Sequence, residues 1–147
     1  MLEVGLSVPR FDARDKATGR ERYAADHCPE GLLWAGAKRA GIPHGRIRGI
    51  DTAAAAALPG VRAVLAARDV PATHRQGIVH AVQAVLAEDR VRHCGDPVAL
   101  VLAETPEILR EALDRIRVDL LPLPGVFSPR EAMAPGAPLL HEKGNVL

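Results

Sequence analysis

Val98 to Ala103, VALVLA, is a wholly apolar run of six, and it follows a Gly95-Asp96-Pro97 turn. A run of six without alternation predicts a strand covered on both faces, since a half-exposed strand would alternate apolar with polar. Past Thr105-Pro106 the period changes. Ile108, Leu109, Ala112, Leu113 and Ile116 recur three and four residues apart, which puts them on one stripe of a helix spanning 105–116. Thr105 supplies an N-cap hydroxyl and Pro106 a first helical residue whose missing N–H costs nothing there. On the wet side Glu107 with Arg110, Arg110 with Asp114, and Glu111 with Arg115 stand at i,i+3 or i,i+4. Arg117 to Leu121 reads as a second strand, so 95–121 is a strand-helix-strand unit, and a parallel arrangement of its strands would require a right-handed crossover.

The first half repeats this layout with a shorter helix. Leu32 to Lys38 and His44 to Asp51 have strand character, the second with Arg46 and Arg48 set against Ile47 and Ile50. Asp51 or Thr52 can cap the alanine run 53–57, giving a helix near 52–58 that Leu58-Pro59-Gly60 ends. Val61 to Ala66 is the next strand, closed by Asp69-Val70-Pro71. Between the halves, Ile78 to Leu86 fits a strand or a helical turn equally, and Arg90 to Cys94 returns to strand character. After Leu121 the chain turns on Pro122, Pro124 and Gly125, and Ser128 to Glu131 has the capping-box pattern for one short helical turn.

The ends differ from this pattern. Residues 1–26 are charged and turn-rich, an N-terminal arm with one helical turn around 12–17 ended by Gly19. Residues 134–147 read as an extended tail without a visible partner in the chain. The whole predicts one α+β domain over 1–147, a mixed sheet with two strand-helix-strand units.

Composition narrows the function classes more than it names one. A hydrophobic fraction of 48% with four aromatics leaves Ala, Val, Leu and Ile to fill the core. The formal charge of +1 and the scatter of 16 Arg and 3 Lys give no basic footprint for nucleic acid or an anionic membrane. No stretch approaches the roughly 18 to 20 apolar residues of a membrane span, and MLEVGLSVPR lacks a signal-peptide pattern, so the expected location is cytoplasmic. Cys28 and Cys94 lack CxxC spacing and are expected to be buried free thiols.

Candidate chemistry is sparse. The six histidines, at 27, 44, 74, 80, 93 and 141, form no HExxH or HxH motif and no Cys-His pair at metal spacing. His93 beside Cys94 suggests a nucleophile and base, but neighbours on a strand point to opposite faces. His44 at a strand entrance reads as a ring packed or hydrogen-bonded at a turn. Gly95-Asp96-Pro97 precedes a strand, whereas a phosphate cradle opens a helix. Asp114, Asp119 and Glu131 have structural explanations on a solvated helix face, a strand and a short helix. No catalytic, cofactor-binding or metal-binding residue is assigned.

The order of short motifs is informative as a set. Ser7-Val-Pro-Arg10, Asp12, Lys16-Ala-Thr-Gly19, Tyr23 and Asp26 are followed by Arg39, His44, Arg46-Ile47, Ile50-Asp51, Leu58-Pro-Gly-Val61, Val64 and Asp69-Val-Pro71. Val91-Arg92, Gly95-Asp-Pro-Val-Ala99, Ala103-Glu-Thr105, Ala112, Val118, Leu123-Pro124 and His141 to Val146 complete it. From about Gly5 to Leu147 this resembles the N-terminal α/β hammerhead domain of the molybdopterin-binding large subunit in the xanthine dehydrogenase and aldehyde oxidase family. Ala40 and Gly45 stand where the family often has Ser and usually has Ala.

The resemblance implies a non-catalytic structural domain. The molybdopterin-binding segments and the base glutamate of such a subunit lie downstream of it, and the iron-sulfur clusters and FAD on other domains or subunits. The intact complex would carry out oxidative hydroxylation of an aldehyde or heteroaromatic substrate. The chain is then expected to be an excised or separately encoded domain whose partner is the molybdopterin-binding part. Two other classes are a stand-alone hammerhead-fold module binding a small ligand or protein, and a small enzyme using His93, Cys94 or His44.

Overall fold

The computed structural model describes residues 5–71, 74–78, 81–141 and 144–146. The chain divides into two compact units, 1–32 and 33–147. In the first, helix α1 (Ala13–Ala17) is followed by a 3-10 turn, Ala24–Asp26. Asp12 stands at the N-cap of α1, but its side chain caps no helix N–H. It pairs instead with the Arg10 guanidinium and, at 2.7 Å, with Lys16. The Lys16 ammonium also lies 5.8 Å from the centre of the Tyr23 ring, within cation–π range.

The hydrogen bond from Arg10 and then that from Lys16 hold the Asp12 carboxyl below its usual value of 3.8. A depressed acid stabilises the folded state above the unfolded pKa, and that contribution is lost as the pH falls through the folded pKa. A carbon-13 titration of the Asp12 carboxyl should therefore give a midpoint below 3.8, moving up in Arg10→Ala. An unmoved midpoint would remove Arg10 as the cause.

In the second unit, β1 (Trp34–Arg39), β2 (Gly45–Asp51), α2 (Ala53–Ala56) and β3 (Val61–Ala66) lie close to the expected boundaries. A 3-10 turn (Ala67–Asp69), β4 (Arg75–Gln76), β5 (Gln83–Ala84), β6 (Arg90–Val91), β7 (Pro97–Ala103), α3 (Pro106–Arg115), β8 (Arg117–Pro122) and α4 (Pro129–Ala132) follow. The undecided stretch 78–86 contains β5, which pairs with β4.

The strand order is β1-β7-β3 in one sheet, β6-β2-β8 in a second and β4-β5 in a third. All described pairings are antiparallel. The α+β class holds, but the mixed sheet does not: β7 and β8, the strands of the strand-helix-strand unit, go to different sheets, as do β2 and β3. Each pairs with a strand distant in sequence, so the crossover rule for parallel neighbours does not arise.

β7 is the middle strand of its sheet, and Val98, Ala99, Val101 and Ala103 are all fully buried. Its alternate side chains serve two clusters. Ala99 and Val101 join Ala55, Ala112 and Ile116 beneath α2 and α3, whereas Val98 joins Ala87 and Val91. Ile50 and Val118, from β2 and β8, pack against both clusters and so link the sheets. The small side chains of Ala55, Ala99 and Ala112 allow the helices to approach the sheet closely. Gly36 on β1 serves the same end, since a Cβ there would lie 3.1 Å from Leu109 Cδ2.

The helix starts follow local chemistry. Thr105 Oγ1 accepts from Ile108 N at 3.3 Å, and Ser128 Oγ from Glu131 N at 3.2 Å. Thr52 is the N-cap of α2 by position, yet Asp51 Oδ1 takes the Ala53 N–H at 3.0 Å. Of the three charge pairs expected on α3, Glu111–Arg115 is present among the described ion pairs.

Candidate functional site

The turn 93–96, which delivers the chain from β6 into β7, is held by several side-chain and backbone hydrogen bonds. Asp96 Oδ2 accepts from the backbone N–H groups of Arg92 at 2.6 Å and His93 at 3.2 Å, bonding back across the turn to residues four and three before it. Asp96 Oδ1 receives His93 Nε2 at 2.8 Å. His93 Nδ1 accepts from Gly95 N at 3.0 Å, which places the proton of a neutral ring on Nε2. The Arg39 side chain donates to Gly95 O at 2.5 Å, and Ala40 N and Gly41 N donate to Asp96 O and Cys94 O, each at 2.9 Å. The loop after β1 is thereby tied to the Gly-Asp-Pro turn.

This geometry revises the reading of His93 and Cys94. The strand expected over 90–94 stops at Val91, because Asp96 draws the next two N–H groups into a turn. Both imidazole nitrogens of His93 are engaged by Gly95 and Asp96, so it is not the pendant base of a Cys-His pair. Cys28 and Cys94 are free, as expected, but exposed rather than buried. Both sit in connecting segments, outside the layers where β-strands and helices exclude water.

His44 is 4% exposed. Its Nδ1 donates to Pro124 O at 2.7 Å, and its Nε2 is buried without a partner among the described residues. The ring therefore holds the turn after β8 against the start of β2, as its sequence position suggested. His27 is exposed and His74 half-buried; His80 lies outside the described residues. Asp114, Asp119 and Glu131 are exposed on α3, β8 and α4 and are not brought together. Among the described residues no three His, Cys, Asp or Glu side chains are grouped as metal ligands. No described helix is long and apolar enough to cross a membrane.

What the sequence did not foresee is a cleft of about 310 Å³ beside β5 and β6, lined by Arg90, Arg92, His93, Asp96 and His141 among others. Arg90, on β6, and Arg92, the first residue beyond it, flank the fully buried Val91, and both line the cleft. Arg90 Nη1 donates to Leu139 O at 3.3 Å and Arg92 Nε to Leu140 O at 2.7 Å. Asn145 closes the tail on itself: its Oδ1 accepts from Leu140 N at 2.8 Å, and its Nδ2 donates to Ala132 O at 3.0 Å and Pro138 O at 2.9 Å. The tail expected to have no partner within the chain thus has one. The i,i+2 arginines were the available signal, but their targets lie 48 and 49 residues away. Burial, then Arg92, then Arg75, disfavour the charged form of His141 and lower its pKa from 6.5.

Residues 18–124 match the family model described as the aldehyde oxidase and xanthine dehydrogenase a/b hammerhead domain. The chain belongs to this family. The hammerhead chain is 44% identical over 138 residues to a probable xanthine dehydrogenase subunit of Bacillus subtilis, an alignment covering 94% of this chain and 18% of that protein. It is 35% identical to the nicotinate dehydrogenase large molybdopterin subunit of Eubacterium barkeri, across 97% of this chain and 34% of the relative. Among solved structures, a Cu,Mo-CO dehydrogenase superposes with a TM-score of 0.88 at 37% identity, covering 95% of this chain and 18% of that one. The aldehyde oxidoreductase of Desulfovibrio desulfuricans superposes with 0.84 at 32% identity, covering 93% and 16%. The chain thus spans from about a sixth to a third of the length of these proteins.

Proposed function

We propose that the chain acts as a structural, non-catalytic domain in the large subunit of a molybdenum hydroxylase of the xanthine dehydrogenase and aldehyde oxidase type. The observation that carries this reading is the coverage: nearly all of this chain corresponds to 18% of a relative named as a xanthine dehydrogenase subunit and 34% of one named as a large molybdopterin subunit. In this reading the molybdopterin and the reacting groups belong to the remainder of the large subunit, with iron-sulfur clusters and FAD on other domains or subunits, in the cytoplasm. The intact complex would hydroxylate an aldehyde or a heteroaromatic substrate oxidatively, with water as the oxygen source.

The test pairs metal analysis with reconstitution. The purified chain should contain no stoichiometric molybdenum and turn over neither aldehydes nor N-heterocycles. Mixed with the molybdopterin-binding remainder of a close relative's large subunit, it should co-elute as a complex. Turnover or tightly held molybdenum in the chain alone would overturn the proposal, as would failure to associate with that remainder.

A further inference from the structure

We infer that the cleft between β5, β6 and the C-terminal segment is a binding site for a small oxyanion, a phosphate or carboxylate group. Its cations are fixed rather than loose. Arg90 and Arg92, both half-buried residues, each spend a donor on a tail carbonyl, Leu139 O at 3.3 Å and Leu140 O at 2.7 Å, which orients both side chains. Their remaining N–H groups have no side-chain or backbone acceptor among the described residues. A guanidinium presents paired donors that match oxyanion geometry, and hydrogen bonds between charged partners are stronger than neutral ones.

One negative charge faces two arginines, and its acceptor sites are taken up by other donors. Asp96 is the one carboxylate lining the cleft among the described residues. Its two oxygens hold the Arg92 and His93 N–H groups and the His93 ring. Burial first, and then Arg92 and Arg75, disfavour protonation of His141, which lines the same cleft. An anion seated between Arg90, Arg92 and His141 would relieve that repulsion and accept the unspent donors. The volume, about 310 Å³, is at the low end for ligand pockets, which favours a small oxyanion over a nucleotide.

The test is titration of the chain with sodium phosphate, sodium acetate and sodium chloride at matched ionic strength, following the assigned His141 imidazole resonances. Saturable shifts with phosphate or acetate, together with an upward move of the His141 pKa, are expected; the tighter of the two names the oxyanion class. Removing Arg92 would also release the tail, so Gln83, an exposed lining residue on β5, carries the mutational arm. Gln83→Glu should weaken binding about fivefold and Gln83→Lys strengthen it by about as much, the size expected of one added charge near the surface. An equal response to chloride, or identical affinities in the two Gln83 variants, would overturn the assignment and leave general screening as the cause. Neither outcome depends on whether the chain works within a molybdenum hydroxylase.

Discussion

Gly60→Ala is expected to lower the unfolding free energy by about 2 to 4 kcal/mol, from left-handed backbone strain and from overpacking together. Gly60 has φ +84, and a Cβ built on it would stand 2.6 Å from Ile108 Cδ1 and 3.3 Å from Glu104 Oε2. The glycine ends the connection from α2, and its carbonyl accepts from Glu104 N at 2.9 Å, so the backbone cannot rotate away without losing that bond. The two costs are separable. Ile108→Val removes the atom in closest contact, so the double variant should recover the packing part and keep the strain, to be read as a coupling energy in urea unfolding. Equal midpoints for wild type and Gly60→Ala would show that this turn relaxes freely.

Asp96→Ala is expected to cost about 3 kcal/mol, in the range for removing a charged acceptor from several donors. Two backbone N–H groups and the His93 ring lose their acceptor at once, at the point where the chain enters the central strand. Asp96→Asn retains an acceptor oxygen and should fall between wild type and alanine. Hydrogen exchange at the amides of Arg92 and His93 gives the local readout; both should accelerate in Asp96→Ala, and unchanged exchange would mean that the side chain does not hold the turn.

Both predictions concern residues that stood out in the sequence, yet for different reasons. Gly60 sits in Leu58-Pro-Gly-Val61, where a stop signal is explicit, and its turn is the one the sequence implies. Gly95-Asp96-Pro97 was also read as a turn, but the extent of its reach was hidden. Asp96 bonds backward and so ends β6 at Val91, which is why His93 and Cys94 do not lie on a strand. A side chain that competes with the ladder for N–H groups cannot be recognised from hydrophobic period alone.

The candidate site was less legible than the fold. Arg90 and Arg92 stand two residues apart at the end of β6, but nothing local connects them to Leu139, Leu140 and His141. That cleft exists because the tail folds back and Asn145 fastens it. The cysteines were misplaced for a related reason: average burial of a residue type says little about two positions in connecting segments.

The sequence by itself determined the α+β class, the family, β7 as a strand covered on both sides, and α3 with its Thr105 cap. Each of these is written in contacts or periods spanning a few residues. Tertiary structure alone decided that β7 pairs with β1 and β3, that β8 crosses to a second sheet beside β2, and that the tail completes a basic cleft. Strand partners are chosen by which apolar faces can be buried together, and β7 faces two clusters at once. That choice is made by the whole chain, since antiparallel partners and tail carbonyls lie tens of residues from the groups that hold them.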